Sequence, residues 1–192
     1  SEAQGTETVA VDNALLTQQI AFTAVENMEL ANGTLTGSDA ADSFEVNDTA
    51  LTANGISVTN AASAINASGG DDALAVNDTN STLTGTDKAL NTAIYQFTSI
   101  DEADLKGGTL IGSGVADSFE VNDTALTANG ISVTNAASAI NAGAGDDAVT
   151  VNDANSTLTG TDNALNTANY QFTSIQTADL NSNELTGTAG AD

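Results

Sequence analysis

Sliding the chain against itself by 75 residues aligns 35–109 with 110–184 at 59 identical positions, without a gap. One stretch, "ADSFEVNDTALTANGISVTNAASAINA", stands at 41–67 and returns unchanged at 116–142. A period this long and strict marks a repeat architecture, in which a unit unable to bury its own apolar face is covered by a neighbour that resembles it. The register runs beyond both copies: Phe22, Phe97 and Phe172 keep the spacing, as do Leu30, Leu105 and Leu180. The chain therefore divides into an N-terminal half-repeat (1–34), two repeats (35–109 and 110–184) and the start of a further repeat or junction segment (185–192).

Each repeat carries a weaker internal likeness. "DSFEVNDTALT" resembles "DALAVNDTNSTLT" thirty residues later, and "ISVTNAASAINA" resembles "YQFTSIDEADLK", so a repeat reads as two similar halves. Within a half the apolar residues alternate, as in Phe44 and Val46, Ile56 and Val58, Leu74 and Val76, or Tyr95 and Phe97. Period two means strands with one buried face. Gly, Asn and Asp clusters such as "NASGGDD" (66–72) and "NAGAGDD" (141–147) separate the strands with turns that tolerate positive φ. Only "NAASAINA" admits a helix. The expected fold is all-β, a parallel β-solenoid of tandem 75-residue repeats; the alternative is tandem β-sandwich modules with a donated strand.

Composition narrows the function. Twenty-six acidic residues face two lysines, Lys88 and Lys106, with no Arg or His, for a formal net charge of -24. That balance argues against a nucleic-acid partner. Apolar residues make up 40% of the chain, enough for a packed core despite the self-repulsion. With no cysteine or proline, the fold has no disulfide or thiolate metal site, and every backbone amide can join a ladder. No apolar run is long enough to span a bilayer, and a first residue of Ser1 suggests a processed or excised chain. Without His, Cys or Arg, and with both lysines replaced by Asn163 and Asn181 in the second repeat, a catalytic role is not expected.

The turn "AGAGDDAV" places Gly143, Gly145, Asp147 and Val149 at the spacing of the nonapeptide G-G-x-G-x-D-x-U-x. On those residues the chain resembles degenerate RTX-like, hemolysin-type β-solenoid repeats of large secreted bacterial adhesins or surface-filament proteins. "ASGGDDAL" keeps Gly70, Asp72 and Leu74 but has Ser68, and the chain lacks the nine-residue repetition of true RTX arrays. The resemblance implies Ca²⁺ at Asp72 and Asp147, with Asp71 and Asp146 beside them, and a secreted, extracellular or cell-surface location. An acid-capped glycine turn without an ion fits the same residues.

Three further patterns recur. The triplet "VND" stacks Asp48, Asp78, Asp123 and Asp153 into one column of a solenoid, either solvated or bridged by Ca²⁺. Threonine pairs at Thr34 and Thr36, Thr82 and Thr84, and Thr157 and Thr159 resemble the ladders of solenoid ice-binding proteins. Sequons begin at Asn32, Asn47, Asn66, Asn77, Asn80, Asn122 and Asn155, in a chain rich enough in Asn, Ser and Thr to produce them by chance.

"LTGTAGAD" (185–192) calls for a following strand like "SFEVND", and "GTETVAVDN" (5–13) is a fair version of it. Val9, Val11, Leu185, Gly187, Gly190 and Asp192 are thus the expected subunit junction. A heterologous contact of this kind propagates into a filament. The leading expectation is an extracellular structural protein stacking head to tail into a fibre, with copies of itself as partners and cell-surface or matrix polysaccharide as a further one. The alternatives are a segment of a calcium-binding adhesin stalk, whose array continues in both directions, or a solenoid binding ice or carbohydrate through Thr ladders. The N-terminal half-repeat, shortened by about eight residues, favours a natural beginning.

Overall fold

The protein is a β-solenoid, seen in a computed structural model that describes residues 8–10, 25–77, 80–152, 155–158 and 163–187. Among the described residues there is no helix. The first strands are β1 (Thr8–Ala10), β2 (Asn27–Glu29) and β3 (Leu35–Thr36). A meander follows, β4 (Ser43–Asn47), β5 (Ala50–Ala53) and β6 (Ile56–Thr59), then single strands β7 (Ala64–Asn66) and β8 (Ala73–Val76). A second meander, β9 (Asn80–Leu83), β10 (Ala89–Asn91) and β11 (Gln96–Thr98), leads to β12 (Glu102–Asp104) and β13 (Thr109–Ile111). The order then recurs. A meander of β14 (Ser118–Asn122), β15 (Ala125–Ala128) and β16 (Ile131–Thr134) precedes β17 (Ala139–Asn141) and β18 (Ala148–Val151). Another, of β19 (Asn155–Leu158), β20 (Leu165–Asn166) and β21 (Gln171–Thr173), precedes β22 (Thr177–Asp179) and β23 (Glu184–Thr186).

The strands form two sheets that enclose one core. Sheet A runs β1-β2-β6-β5-β4-β8-β12-β16-β15-β14-β18-β22, and sheet B runs β3-β7-β11-β10-β9-β13-β17-β21-β20-β19-β23. Neighbouring single strands are parallel, with Phe44 opposite Leu74, Leu74 opposite Ala103, and Ala103 opposite Val133. Each meander is antiparallel, with Val46 opposite Leu51 and Leu51 opposite Val58. The chain therefore advances three strand positions along a sheet, steps back through two antiparallel strands, and moves on. The first half of a repeat places its meander in sheet A and the second half places it in sheet B.

This arrangement accounts for both internal likenesses. The first, thirty residues apart, joins strands stacked directly on each other, β4 under β8. The second joins β6 and β7 to β11 and β12, which hold equivalent places in opposite sheets. "NAASAINA" is not helical. Its Ala64, Ile65 and Asn66 form β7, with Ile65 inward between Leu35 and Phe97, because two stacked neighbours outweigh the helix propensity of alanine. The repeats are not separate globules, since β12 of the first pairs with β16 of the second.

The core is continuous. Phe44 and Phe97 meet edge to face across the two sheets at 5.6 Å, as Phe119 and Phe172 do at 5.5 Å. Tyr170 is buried, and its hydroxyl donates to the Thr124 carbonyl in the β14–β15 turn (3.0 Å). Connections from sheet B to sheet A lie backbone against backbone. The Gly112 amide donates to the Asn141 carbonyl (2.7 Å), and a Cβ at Gly112 would overlap the Ala142 carbonyl oxygen. Gly55, at the β5–β6 turn, has φ +79° and nothing within 4 Å of a built Cβ. Gly112→Ala should therefore cost about 3 kcal/mol or more by displacing a neighbouring connection, and Gly55→Ala only about 1–2 kcal/mol of backbone strain. Urea midpoints of the two variants check the difference; equal losses would contradict it.

Candidate functional site

The connections 37–42, 67–72, 112–117 and 142–147 hold the acids singled out by the glycine spacing. Asp72 and Asp147 are fully buried, and each turns one carboxylate oxygen toward the neighbouring connection. The Asp42 amide donates to Asp72 Oδ1 (2.8 Å), and the Asp117 amide donates to Asp147 Oδ1 (2.8 Å). Asp71 and Asp146 point outward and are exposed. The glycine-aspartate turn thus caps the amide of the connection stacked against it.

The column continues on both sides. Asp42 accepts from Asn54 Nδ2 (2.5 Å) and from the Ser38 amide (2.6 Å), while Asn54 Oδ1 accepts the Ser43 amide (2.8 Å). Asp117, Asn129, Ser113 and Ser118 repeat those contacts. On the other side the Asp72 amide donates to Asp101 Oδ2 (3.3 Å), whose other oxygen pairs with Lys88. Lys88 also donates its amide to the Asn129 carbonyl (2.8 Å), which carries the column into the second repeat. There Gln176 Oε1 accepts the Asp147 amide (2.6 Å), in the place of Asp101.

Burial pushes the Asp147 carboxyl up; the amide of Asp117 offsets part of that, and the charges of Asp117 and Asp146 add to it. Burial also works against Asp42, but bonds from Asn54 and from the amide and hydroxyl of Ser38 outweigh it and hold the carboxyl below the usual aspartate value. Asp101 is held low by its bond to Lys88, and Asp104 by its bond to Lys106. Asp72 Oδ2 and Asp147 Oδ2 are buried and make no hydrogen bond. Among the described residues no group of three or more acidic side chains draws together as metal ligands.

The VND aspartates lie elsewhere. Asp48 and Asp123 open the β4–β5 and β14–β15 turns, each at φ 53°. Five strand steps separate β4 from β14, so these two are not neighbours in a column. Asp78 and Asp153 lie outside the described residues. Four of the acids that face along sheet A are bridged by an amide from the next strand: Asn60 Nδ2 donates to Glu29 (2.9 Å), Asn77 Nδ2 to Glu45 (3.0 Å), Asn135 Nδ2 to Asp104 (2.9 Å) and Asn152 Nδ2 to Glu120 (3.0 Å). These bridges, like Asn54 and Asn129, escaped the sequence reading; their signal was the thirty-residue spacing that also joins Phe44 to Leu74.

Among the expected junction residues, Val9 lies in β1, at one edge of sheet A. Leu185 lies in β23, at the far edge of sheet B, 46% exposed, and Gly187 follows it. Val11, Gly190 and Asp192 lie outside the described residues. Leu185 and Ala178 stand one repeat after Leu110 and Ala103. Leu110 and Ala103 are 0% and 1% exposed, whereas Leu185 and Ala178 are open to solvent. At the other end Met28 and Leu35 are half-buried and line a cleft of about 230 Å³ with Phe44 and Ile56; Ile131, the counterpart of Ile56, is fully buried. Among the described residues, the core positions at the two ends of the solenoid thus lack the covering rung that the middle has.

No family model matches the chain, and no curated protein or solved structure matches it.

Two outcomes follow for the column. Asn129→Ala removes a donor from Asp117 and an acceptor from Ser118, and should cost about 1–3 kcal/mol in a denaturant titration. The carboxyls held low (Asp42, Asp101, Asp104) contribute stability present above the ordinary aspartate pKa and lost as pH falls. The raised carboxyl of Asp147 contributes with the opposite sign, present in acid and lost as pH rises through its folded value. Asp147→Asn keeps an oxygen for the Asp117 amide, so it should raise the melting temperature at neutral pH, a gain that disappears near pH ~3. A gain equal at both pH values would show that the charge at Asp147 is not its cause.

Proposed function

We propose that the protein is an extracellular structural element whose solenoid stacks end to end with copies of itself into a filament. The observation that carries this reading is the contrast between the middle and the ends: Leu110 is fully buried, and its counterpart Leu185 stands 46% exposed in β23, the edge strand of sheet B among the described residues. An apolar rung open to solvent at a sheet edge is a template for another strand of the same kind. The opposite end, with β1 and β3 as edges and the Met28–Leu35 cleft between the sheets, offers the complementary half of a heterologous contact. The extracellular placing rests on the resemblance of the glycine-aspartate turns to secreted repeats. Electron microscopy of the purified chain tests the reading. Fibres are expected from the wild type and single short rods from Leu185→Lys, which adds a charge at an exposed position; a wild type that stays monodisperse at all concentrations overturns it.

Calcium is a second reading, favoured by Asp72 Oδ2 and Asp147 Oδ2. Each is a hard oxygen, buried, and without a hydrogen-bond partner. Ca²⁺ takes six to eight oxygens, so carbonyls of the stacked connections would complete the set around one aspartate. Melting in Ca²⁺ against melting in chelator decides this. A cation bound only by the folded state, at about 100 times its dissociation constant, adds about 2.7 kcal/mol. An unchanged melting temperature removes the calcium reading and leaves the stacking untouched.

A further inference from the structure

We propose that the outer face of sheet B is a lateral docking surface for the same face of a second copy, so that solenoids pair side by side through it. The charge of the molecule is divided between its two broad faces. The strands of sheet A carry Glu29, Glu45, Glu102, Asp104, Glu120 and Asp179. Among the described residues, the eleven strands of sheet B carry a single charged side chain, Glu184, in the edge strand β23. In a chain of net charge -24, the long face of sheet B is thus close to neutral. Its inward positions, such as Ile65, Phe97, Ile140 and Phe172, are buried, and the residues alternating with them face solvent. Asn66, Gln96, Thr98, Asn141, Gln171 and Thr173 are all exposed.

Of the two broad faces, that of sheet B is the one that can be brought against its own copy. Bringing the sheet A faces together sets like charges against each other and strips water from carboxylates, which is costly without a cation between them. Bringing the sheet B faces together opposes amides and hydroxyls that both donate and accept, as stacked Asn and Gln rows do between packed sheets. One such contact is already made within the face, where Thr98 Oγ1 donates to Asn66 Oδ1 (3.3 Å). A neutral polysaccharide is the other occupant such chemistry admits. Among the described residues the face offers no aromatic ring for a sugar to stack on, since Tyr95, Phe97, Tyr170 and Phe172 are all turned inward and buried.

The area bounds the strength. Eleven strands at about 4.8 Å give a face roughly 50 Å long, and three residues per strand make it about 10 Å wide. The pair would bury on the order of 1,000 Å² in all, at the lower end of specific interfaces. Lateral pairing of two single chains is therefore weak, and it strengthens with every unit added along the axis. The pairing surface does not depend on end-to-end stacking, and the experiment separates the two.

The test uses the Leu185→Lys chain, in which axial stacking is blocked, followed by sedimentation equilibrium over a wide concentration range. Pairs of twice the chain mass are expected at high concentration. Adding Gln96→Glu with Gln171→Glu, both exposed on sheet B, should weaken pairing by at least about tenfold, whereas Ser57→Glu with Ser132→Glu on sheet A should leave it unchanged. Melting temperatures close to that of the parent establish that each variant is folded. The proposal is overturned if the parent stays single throughout, if both double variants weaken pairing equally, or if the parent stays single and co-sediments with a neutral polysaccharide such as cellulose.

Discussion

A strand in this molecule is covered by the strand one rung away, and the rest of the structure follows from that dependence. Leu74 lies between Phe44 and Ala103, and Ala103 between Leu74 and Val133. Among the described residues no strand is longer than five residues, and none has enough apolar surface to be stable alone. The neighbour must supply both the apolar contact and the backbone hydrogen bonds, so neighbours must match in length, phase and side-chain size. Near-identity between repeats is the sequence-level result of that matching.

The same dependence explains what could be read without coordinates. Strict repetition and the alternation of Phe44 with Val46, or Phe119 with Val121, lead to stacked strands with one buried face. The antiparallel meanders could not be read that way. β5 alternates like its neighbours, and the side-chain period is two whichever way a partner runs. One local signal did exist: Asn54–Gly55 and Asn129–Gly130, between alternating strands, are the strongest short-range marks of a tight hairpin, and they close the β5–β6 and β15–β16 turns. The exchange of sheets between half-repeats had no comparable sign, because the halves keep the same alternation while changing sides.

At the site, the glycine spacing singled out Asp72 and Asp147, and both lie buried in closely packed connections. Their partners were not. Asp42 meets Asn54 across the β4–β5 pair, twelve residues on, and meets Asp72 only once the rungs are stacked, thirty residues on. A carboxylate reading biased toward metal ligands also passes over the commoner use of a buried aspartate, which is to accept amides that would otherwise be buried unpaired.

The two repeats differ at the column in an instructive way. Lys88 and Asp101 form an ion pair in the first, and Asn163 and Gln176 stand at those positions in the second. The column survives: Gln176 Oε1 accepts the Asp147 amide as Asp101 Oδ2 accepts that of Asp72, and the Asn163 carbonyl accepts from Ile175 as the Lys88 carbonyl does from Ile100. Lys88 and Asn163 share a left-handed backbone as well, at φ 57° and 58°. Stacking thus fixes which position must donate, which must accept and which must turn, and leaves the charge of the side chain open. Charge at these positions is in that sense free of the fold, whereas the carboxylates of Asp42, Asp72, Asp117 and Asp147 are bound into it as acceptors of backbone amides.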